Sequence, residues 1–409
     1  MAFIDELENY KSYIQSASEL KEKIKSTADK LGVETEYNVD TPSTLLDKIG
    51  DLQVGGDGGN VDSGGEFLVQ VIDYDGTILK QDHLDTGATF TLPDAPTKHE
   101  RLLFQEWSSP VDITDNTITV GNSDITIGAV YTTKSGLSEF DITLTKVTGL
   151  DVTLNMNGTK DWGDGTSDDL TTHTYASYGD YMITCNGTTI TASASNGLFG
   201  QGGSARNYYC VVARLSNITK INSYALAFCL SLTSITIPKS VTNIGDYSIR
   251  FCPFLTSITI PKSVTNIGNY AVAYGYSLKS ITMPNGVTSI LIGSFLDCHS
   301  LSSIIMPSGV TSISSSAFDA CYSLTSIIIP SGVTLIGGSA FVDCCSILKY
   351  DMTSLNAVPT LSNTNAFTGI NAIAKIYVPD ALYDSWITAT NWSTYADYIY
   401  KASEMPTEE

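Results

Sequence analysis

The chain has 409 residues, 42% of them hydrophobic and 16% charged, enough for several domains with packed cores. Its formal net charge of −21, from 22 Lys and Arg against 43 Asp and Glu, includes no basic cluster able to neutralise phosphates, so nucleic acid is not an expected partner. No segment reaches the roughly 20 continuous apolar residues of a membrane span, and the opening MAFIDELENYKSYIQSASELKEK lacks the apolar core of a signal peptide, so neither membrane insertion nor export by the usual route is expected.

Residues 1–53 read as a helical oligomerisation and attachment segment. Phe3, Leu7, Tyr10, Ile14, Ala17, Ile24, Ala28 and Leu31 alternate three and four apart, the seam of a short coiled coil interrupted at Lys21. The expectation is a homo-oligomer, a trimer, joined through this seam; the alternative is an amphipathic helix lying on its own domain. Residues 54–65, VGGDGGNVDSGG, read as a flexible tether.

Residues 66–133 read as a small all-β unit. FLVQVIDYDGTIL alternates, Asp75-Gly76 makes a hairpin turn, Pro93 to Pro96 a second turn, Phe104 and Trp107 are expected core anchors, and ITVGNSDITIGAVY closes the unit. This order resembles the internalin-type β-grasp repeat of bacterial surface proteins. Residues 136–197 carry Trp162-Gly163-Asp164-Gly165-Thr166, then His173-Thr174-Tyr175, then Gly179-Asp180-Tyr181. The series resembles a PKD-type β-sandwich, which implies Asp-Gly turns with Trp162 and Tyr175 between the sheets. Asp161, Asp164, Asp168 and Asp169 are read as turn carboxylates in preference to a Ca²⁺ site.

Residues 205–379 hold a repeat. Leu232, Leu255, Leu278, Leu301 and Leu324 recur every 23 residues, each followed six later by Pro238, Pro261, Pro284, Pro307 or Pro330, and LTSITIPKSVTNIG occurs verbatim at 232–245 and 255–268. A unit of this length cannot bury its own apolar side and must stack on its copies. Leu232, Ile235, Ile237, Val241, Ile244 and Ile249, with Phe318 later, are the expected inward residues. The pattern resembles the BspA-type leucine-rich repeat, from about Val212 to Val378. Cys229, Cys252, Cys298, Cys321 and Cys344 share one column, interrupted by Gly275, and read as small buried thiols; zinc needs converging close pairs, which a linear ladder lacks. Residues 380–409 read as a helical cap and tail, with Leu382, Trp386, Trp392, Tyr395 and Ile399 as its apolar face. The fold class is therefore multidomain and mainly β, a coiled-coil helix followed by β-grasp-like and PKD-like modules and a capped solenoid.

Two outward surfaces of the solenoid differ. Ser234, Ser257, Ser280, Ser303 and Ser326, beside Thr236, Thr259, Thr282, Ile305 and Ile328, form a monotonous ladder that reads as scaffold. On the returning segments Tyr224, Tyr247 and Tyr270 share one column, Phe228, Phe251 and Tyr274 a second, and Tyr276, His299 and Tyr322 a third, with Arg250, Asp297 and Asp319 between them. Tyr247, Arg250, Tyr270, Tyr276, His299 and Tyr322 are the candidate ligand contacts, since aromatic faces among hydrogen-bonding groups suit sugar rings or protein loops; stacking that merely stabilises the solenoid is the alternative, above all for the Phe228 column. His83, His99, His173 and His299 lie in different modules without a nucleophile or paired-carboxylate cleft, so no enzyme, cofactor or metal is expected.

The leading functional expectation is a phage virion fibre or spike, on tail or head, joined through its N-terminus to other virion proteins and touching a bacterial surface glycan or protein with the solenoid. Ala28, Asp29, Lys30, Leu45, Asp47, Lys48 and Ile49 resemble a loose pattern of gut-phage structural proteins, and IYVPDALYDSWITATNWSTYADYIY resembles the terminal cap of repeat proteins shared by gut bacteria and their phages. The alternative is a BspA-type adhesin on the bacterial cell surface.

Overall fold

The computed structural model describes residues 65–405 apart from 98, 122–123, 145–150, 191–195 and 202–209. The expected helix over 1–53, its seam Phe3, Leu7, Tyr10, Ile14, Ala17, Ile24 and Leu31, and the tether up to residue 64 lie outside the described residues.

The first β unit is a mixed four-stranded sheet, in the order Ile78–Leu84, Phe67–Ile72, Ile125–Thr133, Leu102–Ser108. Its first and last strands lie side by side and parallel, with Val69 opposite Ile125 and Val71 opposite Ile127, and each has an antiparallel neighbour outside. Gly76, at φ 89°, supplies the left-handed turn residue of the Asp75-Gly76 hairpin. Val69, Val71, Phe90, Ile118, Ile125 and Ile127 fill its core. Phe104 and Trp107, expected as core anchors, are only partly buried: they pack on each other at 4.8 Å, beside a separate cluster around Tyr131. Their strand is at the sheet edge.

The second module is not separate from the solenoid. Its strand Ser138–Leu144 pairs antiparallel with Gly179–Cys185 on one side and with Cys210–Arg214 on the other. Cys210–Arg214 in turn pairs parallel with Ser234–Thr236, the first repeat strand. One sheet therefore runs from the module into the repeats, and one core extends from Phe140 to Ile399. Trp162 and Tyr175 are fully buried, and the Tyr175 hydroxyl donates to the Trp162 carbonyl at 2.6 Å. The expected Asp-Gly turn is formed with its carboxylates engaged: Asp161 accepts from the Gly163 N–H, Asp164 from Thr166, and Asp168 from the Trp162 Nε1–H. Such pairing covers the end that a stack of coils would otherwise leave wet.

Each coil of the solenoid contributes to two parallel rows. The first row contains Ser234–Thr236, Ser257–Thr259, Ser280–Thr282, Ser326–Ile328, Lys349–Asp351, Lys375–Val378 and Ile399–Lys401; residues 303–305, which occupy the same register, form no strand. The second runs from Lys220–Ile221 through Asn243–Ile244, Asn266–Ile267, Ser289–Ile290, Ser312–Ile313 and Leu335–Ile336 to Thr360–Leu361. It is interrupted between Ile267 and Ser289, where the column of close-packed Gly245 and Gly268 gives way to Leu291. A Cβ at Gly245 would meet the Ser223 amide at 2.6 Å, and one at Gly268 the Asp246 amide at 2.5 Å. Leu232, Ile235, Ile237, Val241, Ile244, Ile249 and Phe318 all point inward and are at most 2% exposed. At roughly 1.5–3 kcal/mol per side chain, burial on this scale is what holds a coil in place.

The cysteine column is buried and free of disulfides, with a role beyond filling space. The thiols of Cys252, Cys298, Cys321 and Cys344 donate to the carbonyls of Leu226, Val272, Phe295 and Phe318 in the preceding coil, at 3.0–3.5 Å. The C-terminal cap is shorter in helix than expected. One turn of α-helix, Tyr383–Thr388, and a 3-10 segment, Trp392–Tyr398, bury Trp386 and Trp392, and Ile399–Lys401 then completes the first row. Trp392 Nε1 donates to the Pro359 carbonyl at 2.8 Å, pinning the lid to the last coil.

The serine and threonine ladder, read from the sequence as an outward scaffold, is covered over its first coils, while Ser303 is partly exposed and Ser326 exposed. The sheet of the first β unit lies across it, so that Ser234, Thr236, Ser257, Thr259 and Thr282 are at most 6% exposed. Gly128 makes the approach close, since a Cβ there would fall 2.2 Å from the Thr259 Oγ1. Around this contact Ser108 Oγ donates to the Ile260 carbonyl at 2.5 Å, the Lys239 N–H to Gln105 Oε1 at 2.9 Å, and Asn285 Nδ2 to Asp112 at 3.1 Å. Small hydroxyl side chains on one sheet and a glycine on the other let two sheet faces meet at short range.

Candidate functional site

The returning segments of the early coils form an aromatic ridge. Its backbone is set by the stack: the N–H groups of Tyr224, Tyr247, Tyr270 and Gly293 donate to carbonyls of the following coil, Asp246, Asn269, Ile292 and Ser315. Phe228, Phe251, Tyr274, Asp297 and Ala320 do the same four residues further along each coil. All of these residues have positive φ, between 53° and 63°. Later coils place Ser316, Ser339 and Asp343 at equivalent positions, again with positive φ. Bulky residues disfavour this conformation by roughly 1–2 kcal/mol each, yet the first three coils put an aromatic there twice over.

Tyr224, Tyr247 and Tyr270 stack at 4.8 and 5.1 Å with planes within 12°. Tyr270 then rests on Gly293, where a Cβ would come 2.3 Å from its ring. The ring faces are thus spent on one another, and the column presents its rims. None of the three hydroxyls is sealed from solvent or bonded among the described residues. The stacking weighed from the sequence as the alternative is present in this column: the 23-residue repeat brings equivalent rings to about 5 Å, which is contact distance.

Phe228, Phe251 and Tyr274 are tilted against one another at 5.6 and 5.8 Å. Arg250 lies among them, its guanidinium 4.8 Å from the Tyr274 centroid, 5.5 Å from Phe228 and 5.8 Å from Tyr247. The column read as mainly structural therefore shares the cation with the Tyr247 column. Phe228 and Tyr274 are the members of the site that the sequence reading left out; their pairing with Arg250 across neighbouring coils is the signal.

In the third column Tyr276 and His299 lie 4.8 Å apart, and His299 and Tyr322 4.7 Å. His299 Nε2 is 3.1 Å from Asp297. Tyr322 ends the column 41% exposed, and its hydroxyl is made harder to ionise by desolvation and by Asp297, Asp343 and Asp319. Burial likewise raises the Asp319 carboxyl, opposed by a hydrogen bond from Ser316. Tyr276 touches Phe251 and Tyr274 edge-on at 5.9 and 6.3 Å, so all six sequence candidates belong to one continuous surface.

A second concavity, about 880 Å³, opens between the first β unit and the interrupted part of the first row, lined by Val111, Asp112, Asn285, Ser303, Ile305 and Ser326 among others. Ile305 packs against the β-unit core at its floor. Its lining mixes hydroxyls and aliphatic carbons with the charged side chains of Glu66, Asp112, Asp124 and Lys349.

Residues 212–321 and 272–385 match the family described as BspA type leucine rich repeat region, in six copies. The solenoid is a BspA-type leucine-rich repeat region. The BspA-type coils are also similar to solved structures. A leucine-rich repeat protein from Eubacterium ventriosum ATCC 27560 is 20% identical, over 45% of this chain and 57% of that one, with a TM-score of 0.36. One from Bacteroides ovatus ATCC 8483 is 22% identical, over 50% and 61%, with a TM-score of 0.32. A leucine rich cell surface protein from Faecalibacterium prausnitzii A2-165 is 23% identical, over 45% and 61%, with a TM-score of 0.26. The chain thus spans about three fifths of the length of these proteins. No curated protein matches it.

Proposed function

We propose that the chain is a recognition protein displayed at a bacterial cell surface, an adhesin of the BspA kind, and that the aromatic ridge is its contact surface. The observation that carries this reading is the pair of left-handed aromatic columns. Coils that are otherwise near-copies keep six bulky rings where their successors keep Gly, Ser, Ala or Asp, and strain retained against an available alternative is characteristic of a site. Binding, not catalysis, suits the surface: His299 is held between the rings of Tyr276 and Tyr322, with Asp297 on its Nε2.

The BspA-type repeat supports the adhesin over the virion fibre, an expectation that draws on the opening sequence, on residues 1–53 outside the described residues, and on the resemblance of the C-terminal block. Strand order supports reading residues 66–133 as β-grasp-like, and the buried Trp162 and Tyr175 support a PKD-like second module. Homotrimerisation through Phe3 to Leu31 is part of the same proposal, and a single protomer in sedimentation at micromolar concentration would remove it.

The test is attachment of the purified protein to bacterial or host cells, with Tyr276, His299 and Tyr322 changed together to Ala. Attachment should fall at least tenfold while circular dichroism and melting stay close to the parent. Full attachment by a folded triple variant would move recognition off the ridge.

A further inference from the structure

We propose that Arg250 is an anion-binding centre within the ridge and that the ligand group it takes is the carboxylate of an acidic saccharide. The inference rests on the ridge being the recognition surface, and it names the ligand chemistry. The Arg250 Nε is sealed from solvent with no acceptor, and the side chain makes no ion pair among the described residues. The other described arginines, Arg101 and Arg214, are paired. Arg214 bonds Asp141 at 2.7 Å, and Arg101 lies 3.9 Å from Glu139. Among the described arginines Arg250 alone has no carboxylate at ion-pair distance, and aromatic rings take the place of one.

Its surroundings supply one. Three rings, Phe228, Tyr247 and Tyr274, hold the guanidinium from left-handed backbone positions, so the planar fork is fixed before any ligand arrives. Cation–π contact keeps the charge in place at little conformational cost, and a fixed guanidinium offers carboxylate a bidentate geometry that a lysine cannot match. Nε is turned into the protein, and the two terminal nitrogens, neither sealed nor bonded among the described residues, are the edge left for an incoming anion.

A saccharide fits better than an acidic peptide because of what lies beside the cation. The Tyr224, Tyr247 and Tyr270 hydroxyl rims recur at about 5 Å with no bonds of their own among the described residues, a row of donors and acceptors for a hydroxyl-bearing chain. The protein's overall negative charge does not prevent this, since it is screened beyond about 8 Å at physiological salt while the contact with Arg250 is not.

Calorimetric titration of the whole chain with trigalacturonate and with 3′-sialyllactose separates two sources of the carboxylate. The methyl ester of the first and plain lactose are the neutral counterparts. At least one acid should bind at least tenfold more tightly than its counterpart, Arg250→Met should abolish that preference, and Arg250→Lys should restore part of it. Equal binding of acid and neutral forms by the wild-type chain, binding of neither acid, or tighter binding of an Asp-rich peptide would each overturn the proposal without recourse to a variant. A folded Arg250→Met protein that attaches to cells as the parent does also overturns it and leaves the ridge standing, whereas unaltered attachment by the Tyr276, His299, Tyr322 triple variant overturns the ridge itself.

Discussion

Left-handed backbone recurs twice per coil because it aims an N–H at the carbonyl of the next coil, and the side chain must tolerate what the hydrogen bond requires. Gly293 shows the arrangement from the opposite side. It is the position at which the tyrosine column stops, and it is glycine because the Tyr270 ring occupies the space of its Cβ. Gly293→Ala, at φ 57°, should destabilise the solenoid by about 1–2 kcal/mol and displace Tyr270, read as a lower urea midpoint together with a changed tyrosine near-ultraviolet signal. An unchanged midpoint would mean that the ring does not rest there. The aromatic columns were legible in the sequence as columns, because spacing alone defines them. Their φ angles and the spending of their faces were not, since both depend on the distance between coils.

Modules differ in how much of them local patterning can express. The Trp162 to Thr166 turn was legible because Asp-Gly chemistry acts over a few residues, and its carboxylates bond where turn geometry demands. Phe104 and Trp107 were misread because an aromatic in a strand looks the same on an edge as in a centre. The same turn carries an acid-sensitive group. Burial opposes ionisation of Asp164, but hydrogen bonds from Thr166 and His173 outweigh it and lower the carboxyl from 3.8 to about 2. A carboxyl held lower in the folded state contributes stability in full above its unfolded value and loses it as pH falls through the folded one. Melting temperature should therefore drop between about pH 4 and pH 2, and Thr166→Val should lessen that drop. The same acid dependence with and without Thr166 would remove the turn from the account.

At the scale of the molecule the unforeseen feature is the first β unit lying on the solenoid. Long-range docking leaves little trace in sequence: Ser and Thr on a strand read as solvated, and Gly128 inside the strand Ile125–Thr133, a residue that can mark close approach, was not read as doing so. The contact is imperfect, with the hydroxyls of Thr236, Ser257, Thr259 and Thr282 buried without partners at a typical cost of about 1–3 kcal/mol each. Gly128→Val should therefore separate the two bodies while leaving both folded, seen as new protease cleavage between residues 66 and 133 and faster amide exchange over Ser257–Thr259. Retained protection would show that the sheet tolerates the side chain. Both ends of the stack, in contrast, are firmly closed, by the Ser138–Leu144 sheet and by the Trp392 lid.

The identical stretches at 232–245 and 255–268 show that this rod was lengthened by copying. Since a coil touches mainly its two neighbours, adding or removing one beyond Tyr322 would carry the lid along the axis by roughly 4.8 Å and leave the ridge unaltered. Reach and specificity are thereby separable quantities in this architecture, so related chains can differ in length while gripping the same ligand.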